Sequence, residues 1–380
     1  MRPTAVIFLL ISALMLPFGL VFCTTPADGD GDGDGDGDGD HPRLVWTFAT
    51  GGAVVARPAV YEGNVFIGSR DGNFYCLAAA DGAEVWRFAA DGPILESAAV
   101  EYNPGEDVSV FFNSHTDDGW ESSKTLFALD AANGTEEWRK DLAGVLTTGP
   151  TWFAGNVFAD GHYAPSDTND LYCLDKADGS TVWRYPSGAF MTSTIGSWTI
   201  YLAEFNGGSF VTCLDADDGS VVWRSPATNY IHRRPELCGD FLYTADGYGN
   251  LTARNASDGT VAWEYASGMD FPSKPESDGA YVVFAADDTV YCLDAASGAE
   301  VWVRTYDGAE ISGVALAEGD VFFGRGNTVS CLAAADASVI WEYDVPGIVE
   351  DGVPAVSEGF VYIGDFAGHV YCLRAGPDEE

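Results

Sequence analysis

The chain of 380 residues carries 58 acidic and 18 basic residues, which gives a formal net charge of −40 at pH 7. This balance excludes sequence-independent binding to nucleic acid or to an anionic membrane surface, since both require Lys and Arg. Because 47% of the residues are hydrophobic and 13% are aromatic, the chain has enough apolar material for a folded core. An acidic surface on such a core indicates a halophilic protein, whose self-repulsion is screened by high salt.

Residues 1–23 predict a targeting segment. One Arg precedes a long apolar run that ends at Cys23, which is the pattern of a signal peptide, a lipoprotein signal or an uncleaved N-terminal anchor. Cys23 is the candidate for lipidation, although Phe22 stands where a lipoprotein signal usually has Gly, Ala or Ser. Each alternative places the rest of the chain outside the cytoplasm, either anchored to a membrane at the cell surface or secreted.

Residues 24–42 predict a disordered acidic linker, because Asp and Gly alternate along most of the segment. Gly supplies flexibility and like charges extend the chain. Asp28, Asp30 and Asp32 match the first ligand positions of an EF-hand calcium loop, but Gly39 occupies the twelfth position, where that loop requires Glu. We therefore predict a tether and no metal site.

From residue 43 onward, a unit of roughly 40 residues repeats. Its clearest copy is LYCLDKADGSTVWRY at 171–185, where two apolar runs flank a short polar segment closed by Gly, which predicts strand, turn and strand. A second hairpin precedes it, as in PAVYEGNVFIGS at 58–69. Four strands per period is the signature of a β-propeller blade. The repeated tryptophans are Trp46, Trp86, Trp138, Trp183, Trp223, Trp263, Trp302 and Trp341.

The turn between the last two strands of each unit predicts a positive φ angle, which Gly adopts without strain. The last complete unit has Ala337 at this position, which predicts a strained turn or a turn of another type. The other units have Gly82, Gly134, Gly179, Gly219, Gly259 and Gly298 there.

The two ends of the repeat complete one blade. The first tryptophan strand, LVWTF at 44–48, has no YCL-like strand before it, and the last YCL-like strand at 371–373 has no tryptophan strand after it. Pairing the two would remove open sheet edges. We predict an all-β fold, a monomeric eight-bladed β-propeller of four-stranded antiparallel blades over 43–375, with the last blade closed by the N-terminal strand. Residues 376–380 form an acidic tail.

The run Ala-x-Asp-x-x-x-Gly-x-x-x-Trp, represented by Asp175, Gly179 and Trp183, resembles the tryptophan-docking motif of the quinoprotein-dehydrogenase-like propellers. That family includes dehydrogenases that depend on pyrroloquinoline quinone (PQQ) and cofactor-free scaffolds of the BamB type. The resemblance covers nearly all of the chain after the linker. It implies that each tryptophan packs between neighbouring blades rather than binding a ligand.

Six cysteines occupy one equivalent position in the YCL-like strands, and Ala128 and Ala253 occupy it in the remaining two units. Alternation of Cys with Ala indicates a small buried site. Equivalent positions in different blades lie too far apart for a disulfide, so free thiols are predicted. The cysteines are Cys76, Cys173, Cys213, Cys292, Cys331 and Cys372.

The candidate site lies on one face of the predicted propeller. We define the upper face as the one that carries the segments leading into the innermost strands and the loops between the second and third strands. Insertions at 113–124 and 160–170 lie there and predict a wall for partner contact. Four of the 18 basic residues occur together in the segments that lead into the innermost strands. They would bind an anionic ligand or an acidic partner segment, or pair with Glu236, Glu276, Glu350 and Asp351. The candidate binding residues are Arg57, His115, Trp120, His162, Tyr163, His232, Arg233, Arg234 and Lys274.

Two classes of function follow from these features. The first is a membrane-tethered, non-catalytic protein-binding scaffold without a cofactor, which is favoured because the histidines are scattered and nearly all of the chain builds blades. The second, implied by the resemblance, is a dehydrogenase that oxidises alcohols or sugars with PQQ and calcium. A cell-surface sensor of small ligands is a third interpretation. The sequence leaves the partner open, as it does glycosylation of Asn133, Asn250 and Asn255.

Overall fold

The computed structural model describes residues 43–377, apart from 102–107, 116–123, 143–148, 164–167, 189–190, 197, 206, 232, 271–272, 309, 312 and 350–351. These residues form eight four-stranded antiparallel sheets, which confirms the predicted all-β propeller. The first strand, β1 (Leu44–Ala49), is the outermost strand of blade 8 and pairs with the last strand of the chain. Closure by the N-terminal strand is therefore confirmed.

The remaining strands follow the chain, four to a blade, from the innermost strand outward. Blades 1 to 4 consist of β2 (Ala59–Tyr61), β3 (Asn64–Gly68), β4 (Asn73–Ala78), β5 (Glu84–Ala89); β6 (Ala99–Val100), β7 (Ser109–His115), β8 (Lys124–Asp130), β9 (Glu136–Leu142); β10 (Thr151–Phe153), β11 (Asn156–Tyr163), β12 (Thr168–Asp175), β13 (Thr181–Gly188); and β14 (Met191–Ile195), β15 (Thr199–Phe205), β16 (Ser209–Asp215), β17 (Val221–Pro226).

Blades 5 to 8 repeat the same order, and blade 8 takes its outermost strand from β1. They consist of β18 (Glu236–Cys238), β19 (Phe241–Ala245), β20 (Asn250–Asn255), β21 (Val261–Ala266); β22 (Glu276–Ser277), β23 (Tyr281–Ala286), β24 (Thr289–Asp294), β25 (Glu300–Thr305); β26 (Val314–Ala317), β27 (Asp320–Arg325), β28 (Thr328–Ala333), β29 (Val339–Asp344); and β30 (Ala355–Ser357), β31 (Phe360–Gly364), β32 (His369–Arg374).

The tryptophans join neighbouring blades, as the sequence predicted. Each indole Nε1 donates a hydrogen bond of 2.6 to 3.1 Å to a backbone carbonyl of the next blade, as Trp302 does to Ala334. In blades 1 to 6, the tryptophan ring of the preceding blade covers the turn Gly. A Cβ atom added to Gly298 would lie 2.5 Å from the ring of Trp263. The turn accepts the hydrogen bond of the indole and lies under its ring, and these two contacts therefore fix the angle between neighbouring blades.

The turn conformation is also as predicted. Gly298 has a φ of 70°, and Ala337 at the equivalent position of blade 7 has a φ of 58°, which is the left-handed region that a residue with a Cβ atom enters only with strain. Ala337 keeps the hydrogen bond of this turn, from its N–H to the carbonyl of Ala333 at 3.0 Å. The turn is thus of the same type as the others but strained.

The six blade cysteines are free and buried. Each lies in register with the tryptophan of its own blade, as Cys292 does with Trp302, and Ala128 and Ala253 lie in register with theirs. Burial raises the pKa of the Cys76, Cys173, Cys213, Cys292 and Cys372 thiols to about 12. Within the described ranges, no helix is long and apolar enough to cross a membrane.

Blades 2, 3 and 4 rise higher than the others on the upper face. Their second and third strands contain seven or eight residues, whereas the corresponding strands of the other blades contain five or six. In blade 3, the pairing of β11 with β12 continues to Tyr163 and Thr168. The strands beside the two predicted insertions are thus longer, while the loop residues 116–123 and 164–167 lie outside the described residues. Together with the longer strands of blade 4, where the tryptophan spacing gave no sign of an insertion, these strands form what we call the wall.

Candidate partner-binding face

Ion pairs cross the central channel beneath the upper face. Arg57 precedes the innermost strand of blade 1, and its Nη1 lies 2.7 Å from Oε1 of Glu276 in the innermost strand of blade 6. The innermost strands form the ring around the channel, and blades 1 and 6 are three positions apart in it. The Arg57–Glu276 pair therefore reaches across the channel.

Lys274 extends this cluster to blade 5. Its Nζ lies 2.7 Å from Glu236 and 2.9 Å from Glu276. The sequence-based alternative that the channel cations pair with Glu236 and Glu276 is thus what the structure shows for Arg57 and Lys274. The other acids of that alternative, Glu350 and Asp351, lie outside the described residues, as does His232.

The two glutamates of the cluster titrate in opposite directions. Burial raises the pKa of Glu236, and the attraction of Lys274 offsets only part of this effect. Burial also acts on Glu276, but Arg57 and Lys274 together outweigh it and lower the pKa of that carboxyl. Glu276 is therefore the anionic centre of the cluster, since two cations lie within 2.9 Å of it.

Arg234 and Arg233 follow each other in the segment that leads into blade 5. Arg234 donates a hydrogen bond from Nη2 to the hydroxyl of Thr151 in the innermost strand of blade 3. Burial lowers the pKa of Arg234, while Glu236 and Glu276 favour its charged form. Arg233 is exposed to solvent, yet the protein around it lowers the pKa of its guanidinium by desolvation. Of the predicted cations, Arg57, Arg234 and Lys274 thus share one cluster, with Arg233 beside it in sequence.

His115, His162 and Tyr163 lie in the second strands of blades 2 and 3, which belong to the wall. Nε2 of His115, at the end of β7, lies 2.8 Å from Glu96, and both side chains are largely buried. His115 is therefore an internal contact of blade 2. His162 and Tyr163 lie at the end of β11, opposite Asn169 and Thr168. Trp120 lies outside the described residues.

Sequence reasoning missed four exposed apolar side chains on the upper face. Phe205 (40% exposed) and Tyr248 (65%) lie at the loops between the second and third strands of blades 4 and 5, and Phe366 (39%) lies at the same loop of blade 8. Ile348 (50%) lies in the segment leading into blade 8, and its carbonyl accepts a hydrogen bond from the N–H of Phe366. An aromatic residue beside Gly in these turns, as in EFNGG, DGYGN and DFAGH, was the available signal.

These side chains form two patches. The blade 4–5 patch consists of Phe205, Tyr230 and Tyr248: the rings of Phe205 and Tyr230 lie 6.1 Å apart, and the N–H of Gly247, beside Tyr248, donates to the carbonyl of Tyr230. The blade 8 patch consists of Ile348 and Phe366. Most other exposed large hydrophobic side chains of the described residues are valines of outermost strands.

The residues that the structure describes contain no cluster of three or more His, Cys, Asp and Glu side chains arranged to hold a metal ion.

Comparison with known proteins places the chain among PQQ-like propellers. The family model described as outer membrane protein assembly factor BamB matches residues 38–114, 122–205, 207–309 and 286–375. The fold is similar to that of BamB from Moraxella catarrhalis, with a TM-score of 0.69 and 17% identity over 87% of this chain and 99% of that one. It is also similar to quinohemoprotein alcohol dehydrogenase from Comamonas testosteroni, with a TM-score of 0.65 and 14% identity over 89% of this chain and 77% of that one.

Two curated proteins match part of the sequence. A polyvinylalcohol dehydrogenase from Pseudomonas sp is 30% identical over 165 residues, which are 38% of this chain and 25% of that protein. A tetrathionate hydrolase from Acidithiobacillus ferrooxidans is 25% identical over 158 residues, which are 39% of this chain and 30% of that protein. The chain thus matches less than a third of the length of either relative.

Proposed function

We propose that this chain, which belongs to the propeller family described as outer membrane protein assembly factor BamB, is a non-catalytic protein-binding scaffold. Its partner docks on the upper face. The observation that carries this proposal is the exposure of Phe205, Tyr248, Ile348 and Phe366 on that face. Aromatic side chains near arginine are enriched at the centres of protein interfaces.

The geometry of the upper face supports a protein partner. The taller blades 2 to 4 bound one side of the face, and the blade 4–5 patch lies where this wall ends. Arg57 and Lys274 are already paired with Glu236 and Glu276 inside the channel. The patches at the rim, rather than the channel, therefore offer the contact area, and Arg233 adds an exposed cation to the upper face.

We place this scaffold outside the cytoplasm, held to a membrane through residues 1–23. The apolar run that ends at Cys23 supports this placement, and the acidic linker at 24–42 gives the propeller reach. Lipidation of Cys23 is tested by mass spectrometry of the native N-terminus, and a chain that starts beyond Cys23 without lipid would contradict it.

Cross-linking to solubilised membranes with two matched triple variants tests the docking proposal. The first variant, Phe205→Ser, Tyr248→Ser and Phe366→Ser, removes three apolar side chains from the upper face. The control, Val221→Ser, Val301→Ser and Val339→Ser, removes three exposed apolar side chains from outermost strands. We expect the first variant to lose the cross-linked partner and the control to retain it, with both folded by circular dichroism. Retention by both variants, or loss by both, would contradict the proposal.

A PQQ-dependent dehydrogenase is the second candidate, because the relatives include a polyvinylalcohol dehydrogenase and a quinohemoprotein alcohol dehydrogenase. PQQ is a tricarboxylate, and Arg57, Arg234 and Lys274 are the cations it would meet. The carboxylates of Glu236 and Glu276 lie among these cations, within 2.9 Å of Lys274, and would repel it. The described residues of the channel therefore do not fit this cofactor.

Titration with PQQ and calcium separates the two candidates. A scaffold gives no bound-quinone spectrum and no reduction of a dye with alcohols or sugars. A saturable spectrum that disappears in Arg57→Gln and Lys274→Gln would support the dehydrogenase and overturn the non-catalytic proposal.

A further inference from the structure

Blade 5 departs from the repeat at one buried position. Strand β20 reads NLTARN, and Arg254 stands where all seven other blades have leucine. The strand pairings establish this equivalence, since Arg254 follows the residue that lies in register with the blade tryptophan, as Leu77 does in blade 1. The seven leucines are Leu77, Leu129, Leu174, Leu214, Leu293, Leu332 and Leu373.

Two neighbours of Arg254 on the same face of the sheet are also polar. Thr244 and Thr252 lie opposite each other in β19 and β20, where blade 1 has Ile67 and Tyr75. In blade 1, Ile67, Tyr75 and Leu77 belong to the apolar core shared with blade 8. Blade 5 is the one blade with polar residues at all three positions. Blades 4 and 7 have one polar residue each at these positions, Thr212 and Ser330, so the contact between blades 4 and 5 is the most polar of the eight at this level.

These residues line a cleft of about 230 Å³ between the two blades. Blade 5 contributes Thr244, Asp246, Thr252 and Arg254, and the segment that leaves blade 4 contributes residues 227–231, apart from residue 230. At ~30 Å³ per molecule of liquid water, this is the volume of roughly eight waters. No residue of the innermost strand β18 lines the cleft, so it lies apart from the ion pairs of the channel.

The guanidinium of Arg254 is only partly satisfied. The side chain is 3% exposed. Nη1 donates to Ser225 at 3.0 Å and to the carbonyl of Gly259 at 3.4 Å, and Nη2 donates to the carbonyl of Pro226 at 3.1 Å. Buried Nε has no hydrogen-bond partner. A guanidinium has five N–H donors, so Nε–H and one N–H of Nη2 remain, and these two atoms form one edge of its plane.

The charge of Arg254 is also uncompensated at short range. No carboxylate of the described residues forms an ion pair with it, although Glu264, which is exposed, lies at the mouth of the cleft. The carboxylate of Asp246 already accepts hydrogen bonds from both Asn250 and Asn229. A buried cation of this kind normally has an anion beside it, because desolvation of an unpaired charge costs several kcal/mol.

We propose that the cleft between blades 4 and 5 binds a small hydroxy-carboxylate, whose carboxylate pairs with the free Nε–Nη2 edge of Arg254 and whose hydroxyl bonds to Thr244 or Thr252. A carboxylate matches that edge with two parallel hydrogen bonds. Asp246 and Glu264 disfavour a multiply charged anion such as phosphate, because they place negative charge in the same cleft. The site would serve as a sensor of a small organic acid, and it lies beside the blade 4–5 patch, since neighbours of Tyr230 and Tyr248 in the chain line the cleft.

Isothermal titration with sodium lactate, sodium acetate and sodium phosphate at one fixed sodium chloride concentration tests this site. Two variants use residues that other blades have at the same positions. Arg254→Leu introduces the leucine of the seven other blades, and Thr252→Tyr fills the cleft with the tyrosine found at this position in blades 1, 3, 6 and 8. Arg87→Gln, which removes an exposed cation paired with Glu84, is the control.

We expect saturable lactate binding, tighter than acetate, in the wild type and in Arg87→Gln, and binding at least ~10-fold weaker in both cleft variants. Thr252→Tyr keeps Arg254, so it decides the result if Arg254→Leu does not fold. Absence of saturable lactate binding to the wild type would overturn the proposal and leave Arg254 as a link between blades. So would equal binding by the folded cleft variants, or preference for phosphate.

Discussion

The turn at Ala337 provides a sharp test of how the blades are held together. Ala337 has a φ of 58°, which costs an L-residue with a Cβ atom about 1–2 kcal/mol. Ala337→Gly removes this cost but makes the unfolded chain more flexible, which costs about 0.4–1 kcal/mol. The two terms predict that Ala337→Gly is neutral to stabilising, by about 0–1.5 kcal/mol.

The reverse change at the equivalent turn of blade 6 should have the opposite effect. Gly298→Ala adds the same backbone strain at a φ of 70°, and its Cβ would lie 2.5 Å from the ring of Trp263, which must then move. Displacing the ring also stretches its hydrogen bond to the carbonyl of Ala295. We expect a loss of about 1–4.6 kcal/mol, which is the sum of the backbone strain and an overpacking cost of about 1–3 kcal/mol, less the gain of about 0.4–1 kcal/mol that arises because Ala makes the unfolded chain less flexible.

Thermal unfolding followed by calorimetry at one salt concentration measures both changes. For a domain of this size, each kcal/mol corresponds to a shift of about 2–4 °C or less in Tm. Gly298→Ala should lower Tm by several degrees, whereas Ala337→Gly should leave it unchanged or raise it. If Gly298→Ala were as stable as the wild type, the covered glycine would not be what fixes the angle between blades.

Three further predictions concern charge and thiol chemistry. Because Arg57 and Lys274 outweigh burial and lower the pKa of Glu276, its ionised form stabilises the fold above the unfolded value of 4.5, and this stabilisation is lost as pH falls through the folded value. Glu276→Gln should thus lower Tm at pH 7, and this loss should vanish in acid. Glu236→Gln removes a carboxyl whose pKa is raised by burial, so this variant should raise Tm at pH 7. Shifts of Tm of the same sign in the two variants would contradict this. Iodoacetamide at pH 8 should modify Cys238 in the folded chain, because this thiol is partly exposed, and the six blade cysteines only after unfolding, because they are buried. Peptide mass spectrometry reads this out, and modification of the blade cysteines in the folded protein would refute it. Because the chain has a net charge of −40, its Tm should fall steadily as sodium chloride is dialysed out and screening is lost. Unchanged stability in low salt would contradict the halophilic interpretation.

The repeat made the fold predictable, whereas the site depended on which blades face each other. Trp, turn Gly and Cys recur with fixed spacing, because each blade meets its neighbour in the same way, and the spacing alone gave the blade count and the closure by β1. The pairing of Arg57 with Glu276 was open, because residues 219 apart in the chain come into contact only across the channel, between blades that are three positions apart in the ring. The height of blade 4 arose from longer pairing of β15 and β16 without an insertion, so no change in spacing revealed it.

The seven other blades act as internal controls for every residue that departs from the pattern. Leucine at the position of Arg254 suffices to pack seven contacts between blades, so the fold itself does not require a cation there. Replacing a buried leucine by arginine costs free energy unless another interaction offsets the desolvation of the charge. Its hydrogen bonds to Ser225 and to the carbonyl of Pro226 offset part of that cost, but they leave Nε and the charge unmatched. An anion in the cleft would accept a hydrogen bond from Nε and would balance the charge of Arg254. The proposed ligand site is therefore marked by the departure of blade 5 from the repeat and not by the repeat itself.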